Sequence, residues 1–283
     1  MTRNRRQDLE STLGRLRQLP EQPSVVVVDN GSTDGTPEMV RMAFPEFRLL
    51  SLGYNAGVAA RNLAVRQLDT PYVVFNDDDS WWAPGSLRRV VDLFDEHPAL
   101  GAVTAHVVVE PDGGDDPTSL KMQQSPLDGR GTLPGIPVLG FLACATATRR
   151  EAFLSVGGFE ERFHFGGEEQ LLATDLAAAG WAIRYVPDVI VHHRASSARD
   201  RLWRHERDVR NRLWYFWLRR PAGVAALRSL QVLLDAPAHV STKALVSAVR
   251  EGSWVWRERS VVPKWLEDQL KRLDRPVAAE SDA

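Results

Sequence analysis

Three consecutive aspartates, Asp77, Asp78 and Asp79, follow an apolar run that ends at Asn76. Adjacent carboxylates repel one another, so the arrangement is costly unless a cation neutralises it or one member keeps its proton. Divalent cations such as Mg²⁺ and Mn²⁺ bind carboxylate oxygens and usually share their coordination shell with substrate phosphates. The triplet therefore indicates a site for a cation and a phosphorylated ligand, with a solvated acidic turn as the alternative.

The triplet is expected to close a strand of a parallel sheet. Residues 24–29 and 72–76 have the pattern of buried strands, a further strand is expected over 47–52, and helices follow each of them. This threefold alternation is typical of a parallel α/β sheet. Because ligands of open α/β sheets bind beyond the carboxyl ends of the strands, Asp29 and the triplet are expected to face one ligand.

The later part of the chain is less regular. Residues 110–137 are rich in Gly, Pro, Asp and Ser and lack periodicity, which predicts a long surface loop. The pattern predicts the remaining elements in this order: a strand over 102–109, a strand over 138–147, helices over 149–156 and 168–179, a strand over 181–193, and helices from 198 onward.

Composition excludes several classes of protein. The chain has 283 residues, 43% of them hydrophobic and 25% charged, as is typical of a globular protein. Its formal net charge of -2 gives no overall attraction to nucleic acid, so no nucleic-acid partner is expected. The single cysteine, Cys144, excludes an internal disulfide. Since no apolar run approaches the ~20 residues that span a bilayer and no secretory signal is evident, a cytoplasmic protein is expected, at most peripheral at the inner face of the membrane.

By themselves the acidic strand ends fit several chemistries. A haloacid-dehalogenase-type phosphatase also places Asp-x-Asp after a buried strand, although Trp81 stands here where such enzymes normally carry Thr or Val. Nucleotidyltransferases use similar acidic strand ends. The residues alone leave both classes open.

Taken together, the strand ends resemble those of glycosyltransferase family 2. The resemblance covers roughly two-thirds of the chain, from about Thr2 to Ser197, and its segments keep the family's order. They are Val-Val-Val-Val-Asp29-Asn-Gly-Ser-Thr-Asp34-Gly-Thr, Asn55-Ala-Gly-Val-Ala-Ala-Arg61-Asn62, Asn76-Asp-Asp-Asp79, Gly157-Gly-Phe159, Gly167-Glu168-Glu169, and Gly180-Trp-x-x-x-Tyr-x-Pro187 with His192-His193.

The resemblance implies a GT-A fold over residues 1–197. This is a Rossmann-like α/β domain with a mixed, mainly parallel sheet flanked by helices, in which a nucleotide-binding half is joined to an acceptor-binding half. A helical C-terminal extension over 198–275 and a disordered tail over 276–283 are expected to follow.

The resemblance also implies roles around a nucleotide-sugar donor. Asp29 would accept a hydrogen bond from the base, which favours uracil or thymine because their ring N3–H is a donor. Asp77 or Asp78 would hold the ribose, and Asp79 would hold a Mg²⁺ or Mn²⁺ ion that offsets charge on the leaving diphosphate. Four more residues are expected at the nucleotide: Thr2, Asn4, Asn55 and Arg61. For Arg61 the alternative is a solvated helix position.

Glu169 matches the position of the family's general base, where aspartate is usual, and Glu168 is the second candidate. A general base must reach the proton of the acceptor hydroxyl, and glutamate adds one methylene of reach. The alternative is that both carboxylates only favour the helix dipole.

His192 and His193 match a family histidine that completes the metal shell. Strand side chains alternate, so only one of the two can face the metal, and the spacing favours His193. The alternative for both is a structural role.

Family members usually open with an apolar strand before a loop that resembles Thr2 to Arg5 here, and no such strand precedes this loop in the sequence. In the implied fold the strand lies inside the sheet, so its neighbours would otherwise have unpaired backbone groups, at about 1–3 kcal/mol per buried group. The hypothesis is that an apolar segment precedes Met1 in the natural protein.

Residues 199–220 contain eight arginines against three acidic residues, interleaved with tryptophans. One interpretation is a basic amphipathic helix on an anionic membrane, which would suit a lipid-linked acceptor. The favoured alternative is a helix with an arginine-rich solvated face that packs its apolar side onto the catalytic domain through Leu202, Val209, Leu213 and Phe216.

The leading hypothesis is an inverting, metal-assisted glycosyltransferase of hexosyl- or rhamnosyltransferase type. It would move a sugar from a UDP- or dTDP-linked donor to a hydroxyl acceptor, namely a cell-wall polysaccharide, a lipid-linked glycan or a secondary metabolite. The alternatives are a nucleotidyltransferase or phosphatase that uses the same acidic strand end, and a degenerate nucleotide-sugar-binding protein.

Overall fold

The computed structural model describes residues 1–129, 131–194 and 201–274, and for 201–204 it describes the backbone alone. The strands are β1 Val26–Asp29, β2 Arg48–Ser51, β3 Tyr72–Val74, β4 Ser80–Trp82, β5 Leu100–Val109, β6 Gly114–Asp115, β7 Ile136–Pro137, β8 Thr146–Arg149 and β9 Ala182–His193. The helices are α1 Arg6–Arg17, α2 Thr36–Ala43, α3 Ala60–Arg66, α4 Ser86–Glu96, α5 Pro117–Gln123, α6 Arg150–Ser155, α7 Glu168–Ala178, α8 Arg201–Arg219, α9 Ala222–Asp235, α10 Ala238–Glu251, α11 Ser253–Arg257 and α12 Lys264–Leu273.

Two sheets carry the strands. β1 and β2 form a parallel pair, and the other seven strands form a second sheet in the order β3-β8-β5-β9-β4, with β6 beside β5 and β7 beside β9. Helices flank the long parallel ladder between β5 and β9, so the predicted mixed α/β architecture is confirmed. The prediction of a mainly parallel sheet is wrong for the described strands, because five of the seven ladders are antiparallel. The short strands β4 and β8 enter the sheet from turns rather than from crossover helices, and these two account for three of the antiparallel ladders.

The central strands β5 and β9 form the core because most of their side chains are apolar and can be buried on both faces. On one face α4 packs through Leu87, Val90 and Phe94, which recur at helical spacing. On the other face α6 and α7 pack through Phe153 and Leu172. Because helices pack on both faces of the sheet, the residues at the ends of β3, β5 and β9 are held in fixed positions.

The region 110–137 is not a structureless loop, because it contains β6, α5 and β7. At the start of α5, Asp116 accepts a hydrogen bond from the N–H of Thr118 (2.7 Å), and Pro117 occupies the first helical position. Both features are ordinary helix-start signals that composition alone hides.

The strand expected over 138–147 is also wrong. The chain runs through irregular backbone and a short 3₁₀ turn at Ala143–Ala145, and only Thr146–Arg149 joins the sheet as β8. This irregular stretch brings the backbone of residue 143 to the start of α7, where it takes part in the candidate site.

A cavity of about 620 Å³ separates β1 from β3. Its walls are mainly apolar, with residues 25–28 on one side and 72–75 on the other, and neither strand has a described strand partner across the gap. Thr2 bridges to the edge of β1 that faces the cavity, through hydrogen bonds with the Val28 carbonyl (3.0 Å) and the Asn30 N–H (2.9 Å). That an apolar strand preceding Thr2 would occupy this space stays a prediction.

The last five helices, α8 to α12, follow the sheet domain. α8 shares an apolar cluster with α7 and buries Val209, Leu213 and Phe216, so the packing interpretation of this segment is confirmed for these three side chains. Its arginine-rich face is only partly solvated, because Arg210 and Arg220 are buried. Arg220 donates to Glu267 (2.6 Å) on α12 and so ties the two ends of this helical region together.

In the ranges 1–129, 131–194 and 201–274, no helix combines the length and apolar character needed to cross a membrane. The domain boundary expected at 197–198, the start of the basic segment and the disordered tail expected over 276–283 lie outside the described residues, as does the side chain of Leu202.

Candidate active site

β1 carries Asp29 to the carboxyl end of the two-stranded sheet, where it is 1% exposed. Its carboxylate accepts hydrogen bonds from the Ser32 N–H (3.2 Å) and the Ser51 hydroxyl (3.0 Å). The turn from Asp29 to Ser32 needs glycine, since Gly31 has φ +78° and a Cβ there would lie 2.9 Å from the Tyr54 backbone. Because a carboxylate offers about four acceptor positions, Asp29 is held in place and can still accept from a ligand.

Three other residues expected at the nucleotide, Thr2, Asn4 and Asn55, contact the backbone of the loops that follow β1 and β2 or of Asp29 itself. Asn4 accepts the Thr33 N–H (2.7 Å), which fixes the loop after β1. The Asn55 side chain accepts a hydrogen bond from the Gly57 N–H (3.0 Å), which stabilises the loop that contains both residues. Thr2 pairs with Asp29 as a parallel bridge. In this structure these three residues position the loops around Asp29.

Arginines neutralise the acidic triplet. Arg5 contacts both Asp78 (3.2 Å) and Asp79 (3.0 Å), and Asp77 is paired with Arg61. Burial raises the pKa of Asp78 to about 6, although the charge of Arg5 acts in the opposite direction. The repulsion between the neighbouring carboxylates is therefore offset by two guanidinium groups.

Arg61 is 5% exposed, so the alternative of a solvated helix position is wrong. One of its terminal nitrogens pairs with Asp77, whereas its Nε and its other terminal nitrogen have no hydrogen-bond partner among the residues that the structure describes. Unpaired buried donors cost about 1–3 kcal/mol each. These donors are thus suited to an anionic ligand that binds beside the triplet.

The two histidines at the end of β9 point in opposite directions. His193 Nε2 lies 3.4 Å from an Asp79 carboxylate oxygen. His192 Nδ1 lies 2.8 Å from Glu110 instead, and its ring stacks on Trp81. This difference follows from side-chain alternation along a strand. The structure therefore brings His193 to the triplet and places His192 outside it.

Asp79 and His193 are the donors that a divalent cation would find at this edge. Within the described part of the chain no group of three or more His, Cys, Asp or Glu side chains has a metal-binding arrangement. Mg²⁺ is usually held by one or two carboxylates and completes its shell with water and substrate phosphate. A two-donor set fits a cation of that kind, and Arg5 neutralises the same Asp79 carboxylate at 3.0 Å.

Both glutamates lie in the first turn of α7, which follows Gly166 and Gly167 at φ +90° and +79°. Glu169 accepts the N–H of Ala143 (2.5 Å). Burial raises the pKa of Glu169 to about 8, and the neighbouring Glu168 adds to the increase. Burial also raises the pKa of Glu168. The helix dipole accounts for their position but not for their burial, and a carboxyl group with such a pKa is suited to proton transfer near neutral pH.

Cys144 links the two acidic groups in space. Burial raises the pKa of its thiol, and the charges of Asp77, Glu169 and Asp79 all add to that increase. Arg61 also lies near both groups, because it pairs with Asp77 and its charge lowers the pKa of Glu169. Hydrogen bonds connect the same groups. The Ser80 hydroxyl accepts the Asp77 N–H (2.9 Å) and contacts the Cys144 carbonyl (3.5 Å), and Glu169 accepts the N–H of the adjacent Ala143 (2.5 Å), so the triplet and the glutamates lie on the same side of the molecule.

Sequence reasoning missed residues that organise this site. Asn30 accepts the Ala56 N–H (2.8 Å) and donates to the Gly57 carbonyl (2.9 Å), which joins the loops after β1 and β2. No signal beyond its place after Asp29 indicates this role. Arg5, in contrast, could be found by asking which cation near the amino end balances three carboxylates.

The comparisons with known proteins agree on one family. Residues 1–157 match the model of Glycosyl transferase family 2. A Mycobacterium tuberculosis protein named N-acetylglucosaminyl-diphospho-decaprenol L-rhamnosyltransferase is 32% identical over 224 residues, which cover 67% of this chain and 73% of that protein.

Solved structures show the same fold. The mannosyltransferase PcManGT from Pyrobaculum calidifontis, in complex with GDP-Man and Mn²⁺, matches with a TM-score of 0.59 and 23% identity, over 99% of this chain and 74% of its own. S. aureus TarS 1–349 in complex with UDP-GlcNAc matches with a TM-score of 0.54 and 17% identity, over 93% and 88% of the two chains. Both neighbours were thus solved with a nucleotide sugar, and PcManGT also with Mn²⁺.

Proposed function

Since the chain belongs to glycosyltransferase family 2, we propose that it transfers a hexosyl or rhamnosyl group, with inversion, from a UDP- or dTDP-linked donor to an acceptor hydroxyl. The observation that carries this proposal is the proximity of two sets of carboxylates: Asp77 pairs with Arg61, the Ser80 hydroxyl beside the triplet contacts the Cys144 carbonyl (3.5 Å), and Glu169 accepts the N–H of the preceding residue, Ala143 (2.5 Å). One set lies at the strand ends, and the other opens α7. A direct displacement needs a held diphosphate and a base within one site.

In the proposed donor complex, Asp29 accepts the N3–H of uracil or thymine. Asp77 and Asp78 lie on the ribose side, and the unpaired donors of Arg61 face the diphosphate. The loops held by Thr2, Asn4 and Asn55 enclose the base. The burial of Asp29 supports a base-recognition role, because a buried carboxylate accepts from a ring N–H but repels a ring acceptor.

Asp79 and His193 would hold a Mg²⁺ or Mn²⁺ ion in this proposal. When bound, such an ion offsets the negative charge that develops on the leaving diphosphate. The approach of His193 to Asp79 supports the assignment, as does the Mn²⁺ in the P. calidifontis mannosyltransferase. His192 is left out, because its ring nitrogen contacts Glu110.

Glu169 serves as the general base, and Glu168 is the second candidate. The acceptor oxygen forms a bond to the anomeric carbon of the donor while the bond from that carbon to the phosphate oxygen breaks. The electron pair of the broken bond leaves with the nucleoside diphosphate, and the acceptor proton moves to Glu169. A single displacement inverts the configuration and needs no covalent intermediate with the protein. The Ala143 N–H holds the Glu169 carboxylate in place.

The acceptor proposed here is a lipid-linked glycan. The M. tuberculosis relative carries a polyprenol diphosphate sugar in its name and is named an L-rhamnosyltransferase. An acceptor of this kind places the enzyme at the inner face of the cytoplasmic membrane as a peripheral protein, and it makes rhamnose the first sugar to test.

The test is a panel of donors that includes UDP-glucose, UDP-N-acetylglucosamine, dTDP-rhamnose and GDP-mannose, assayed with Mn²⁺ and with a chelator. A short-chain polyprenyl diphosphate sugar is the acceptor. We expect metal-dependent release of UDP or dTDP, and NMR of the product should show the anomeric configuration opposite to that of the donor.

Retention of configuration, or turnover only with GDP-mannose, would contradict the proposal. Release of free sugar phosphate or inorganic phosphate would point to the phosphatase or nucleotidyltransferase alternatives. Tight nucleotide binding without any turnover would identify a binding protein.

A further inference from the structure

An apolar stripe runs along the outer side of α9. Leu227, Leu230 and Leu234 are 56%, 55% and 74% exposed, and their spacing places them on one face of the helix. The opposite side, which includes Ala225 and Val232, is buried. Isolated exposed leucines are ordinary on protein surfaces, but three along one helix face form a continuous surface.

The outer side of α10 continues this surface. Leu245, Val246 and Val249 are 44%, 59% and 75% exposed, whereas Val240 and Ala244 are buried. α9 and α10 share one apolar cluster with α8, so their exposed sides point away from it. Only two residues separate the two helices, which contact each other. We call these six exposed side chains the α9–α10 face.

Within α10 the α9–α10 face carries basic residues, and the acidic residues of both helices lie only at their ends. Lys243 and Arg250 are exposed on α10, at spacings of three and four residues from Val246. The only acidic residue of α9 is Asp235 at its end, and α10 has only Glu251 at its end, which pairs with Arg210 and Arg250. Arg250 is thus partly neutralised, whereas Lys243 has no ion pair among the described residues and gives the apolar face a positive charge that suits an anionic surface.

We propose that the α9–α10 face binds an anionic lipid bilayer, with its leucines and valines below the headgroups and Lys243 at the level of the lipid phosphates. This inference rests on the proposed function, because a lipid-linked acceptor requires the enzyme to work at a membrane. Interfacial helices bind through apolar insertion combined with attraction to anionic lipids. The binding differs from that considered for residues 199–220, whose apolar residues Val209, Leu213 and Phe216 are buried.

A second copy of the chain is the less suitable occupant. A twofold contact presents the same surface from both copies, so Lys243 and Arg250 would meet a face that has no acidic residue between the helix ends. Anionic headgroups supply the missing negative charge.

The experiment is flotation of the full chain with vesicles of phosphatidylcholine alone or of phosphatidylcholine with phosphatidylglycerol. We expect binding to the anionic vesicles and a fall in the partition coefficient of at least about tenfold for the triple variant Leu230→Ser, Leu234→Ser, Val249→Ser. The matched control is Leu120→Ser, which changes an exposed leucine on α5 and should bind like the unmodified chain. Lys243→Glu should weaken binding to anionic vesicles only.

Equal flotation of the triple variant and the unmodified chain would overturn the proposal, as would no binding to anionic vesicles. Sedimentation velocity provides the other test, because a dimer that the triple variant dissociates would assign the face to a second copy. Release of nucleoside diphosphate from a soluble donor should be the same in all these variants. Vesicle binding and catalysis are thus measured separately, and failure of one proposal is distinguishable from failure of the other.

Discussion

The acidic triplet and the glutamates of α7 are two groups of adjacent carboxylates in opposite environments. Arg5 and Arg61 contact the three aspartates directly. Glu168 and Glu169 have no ion pair in the described residues, and burial raises the pKa of both. Identical chemical groups are thereby suited to different tasks: paired carboxylates hold a charged ligand, and buried unpaired carboxyls exchange protons.

The strongest test of this difference between the two groups is to remove the proton-accepting oxygen of Glu169. Glu169→Gln keeps the shape and the hydrogen bond from Ala143 but cannot take a proton, so kcat should fall by about 10²–10⁴-fold while donor KM changes little. Steady-state kinetics with the best donor of the panel measures this. Glu151→Gln, on the exposed side of α6, is the matched control and should leave kcat unchanged. A Glu168→Gln variant that loses more activity than Glu169→Gln would exchange the roles of the two residues.

The second test is to remove one carboxylate of the acidic triplet. Asp79→Ala should lower kcat/KM by about 10²-fold, since a bound cation contributes several kcal/mol of charge stabilisation. The activity that remains should no longer respond to the Mn²⁺ concentration. Asp8→Ala is the control, because Asp8 also contacts Arg5 but lies outside the triplet. Full activity in Asp79→Ala would remove the triplet from the mechanism.

The raised pKa of Glu169 predicts a pH profile. With a pKa of about 8 the base is mostly protonated at pH 7 and mostly ionised at pH 9, so kcat/KM should rise about tenfold across this interval. The measurement is kcat/KM against pH with the metal ion saturating at every point. A profile that is already flat above pH 7 would show that Glu169 is not the base.

Arg61 is the residue that joins the two groups, and it allows a smaller test. Its positive charge favours the ionised form of Glu169, so Arg61→Met should move the midpoint of the pH profile upward. Arg66→Met, at an exposed position on the same helix, should leave the midpoint unchanged. A downward shift would show that Arg61 does not act on the base.

The smallest effect is expected from filling the cavity between β1 and β3. This change should act on the side of the acidic triplet and not on Glu168 and Glu169. The lining of this cavity reaches Arg61 and Asp77 but neither glutamate. A chain extended before Met1 by about five apolar, β-branched residues should gain at least about 1 kcal/mol in free energy of unfolding, because buried backbone groups become paired. Urea denaturation measures the gain, and an extension of the same length in Gly and Ser is the control. Nucleotide affinity should increase, and the pH midpoint should stay the same.

Much of the fold was predictable because its central strands are continuous apolar runs with glycine-rich turns between them. The position of Asp29 at the end of β1 and the buried strand over 182–193 follow from these patterns. Sheet pairing was not predictable, since Thr146–Arg149 is too short for its partner or direction to be read from periodicity. The helix at Pro117–Gln123 was missed because loop-like composition outweighed its capping residues.

The candidate site, like the sheet pairing, was only partly predictable from the sequence. Motif order predicts which residue types line the site, but not the partner of each. Arg5 contacts carboxylates more than seventy positions away, and the inward turn of Arg61 depends on packing around α3. His193 and His192 could be separated by strand alternation alone, whereas the contact of His192 with Glu110 depends on where β5 ends beside β9.

The environment of Cys144 has a practical consequence for spectroscopy. Its thiol is buried and kept protonated by the carboxylates around it, so maleimide reagents, which require an accessible thiolate, should leave it unmodified. As the chain has no other cysteine, a cysteine introduced at an exposed position can carry a single fluorophore or spin label without removal of the native residue. A second introduced cysteine would add the partner label needed to measure distances within the enzyme.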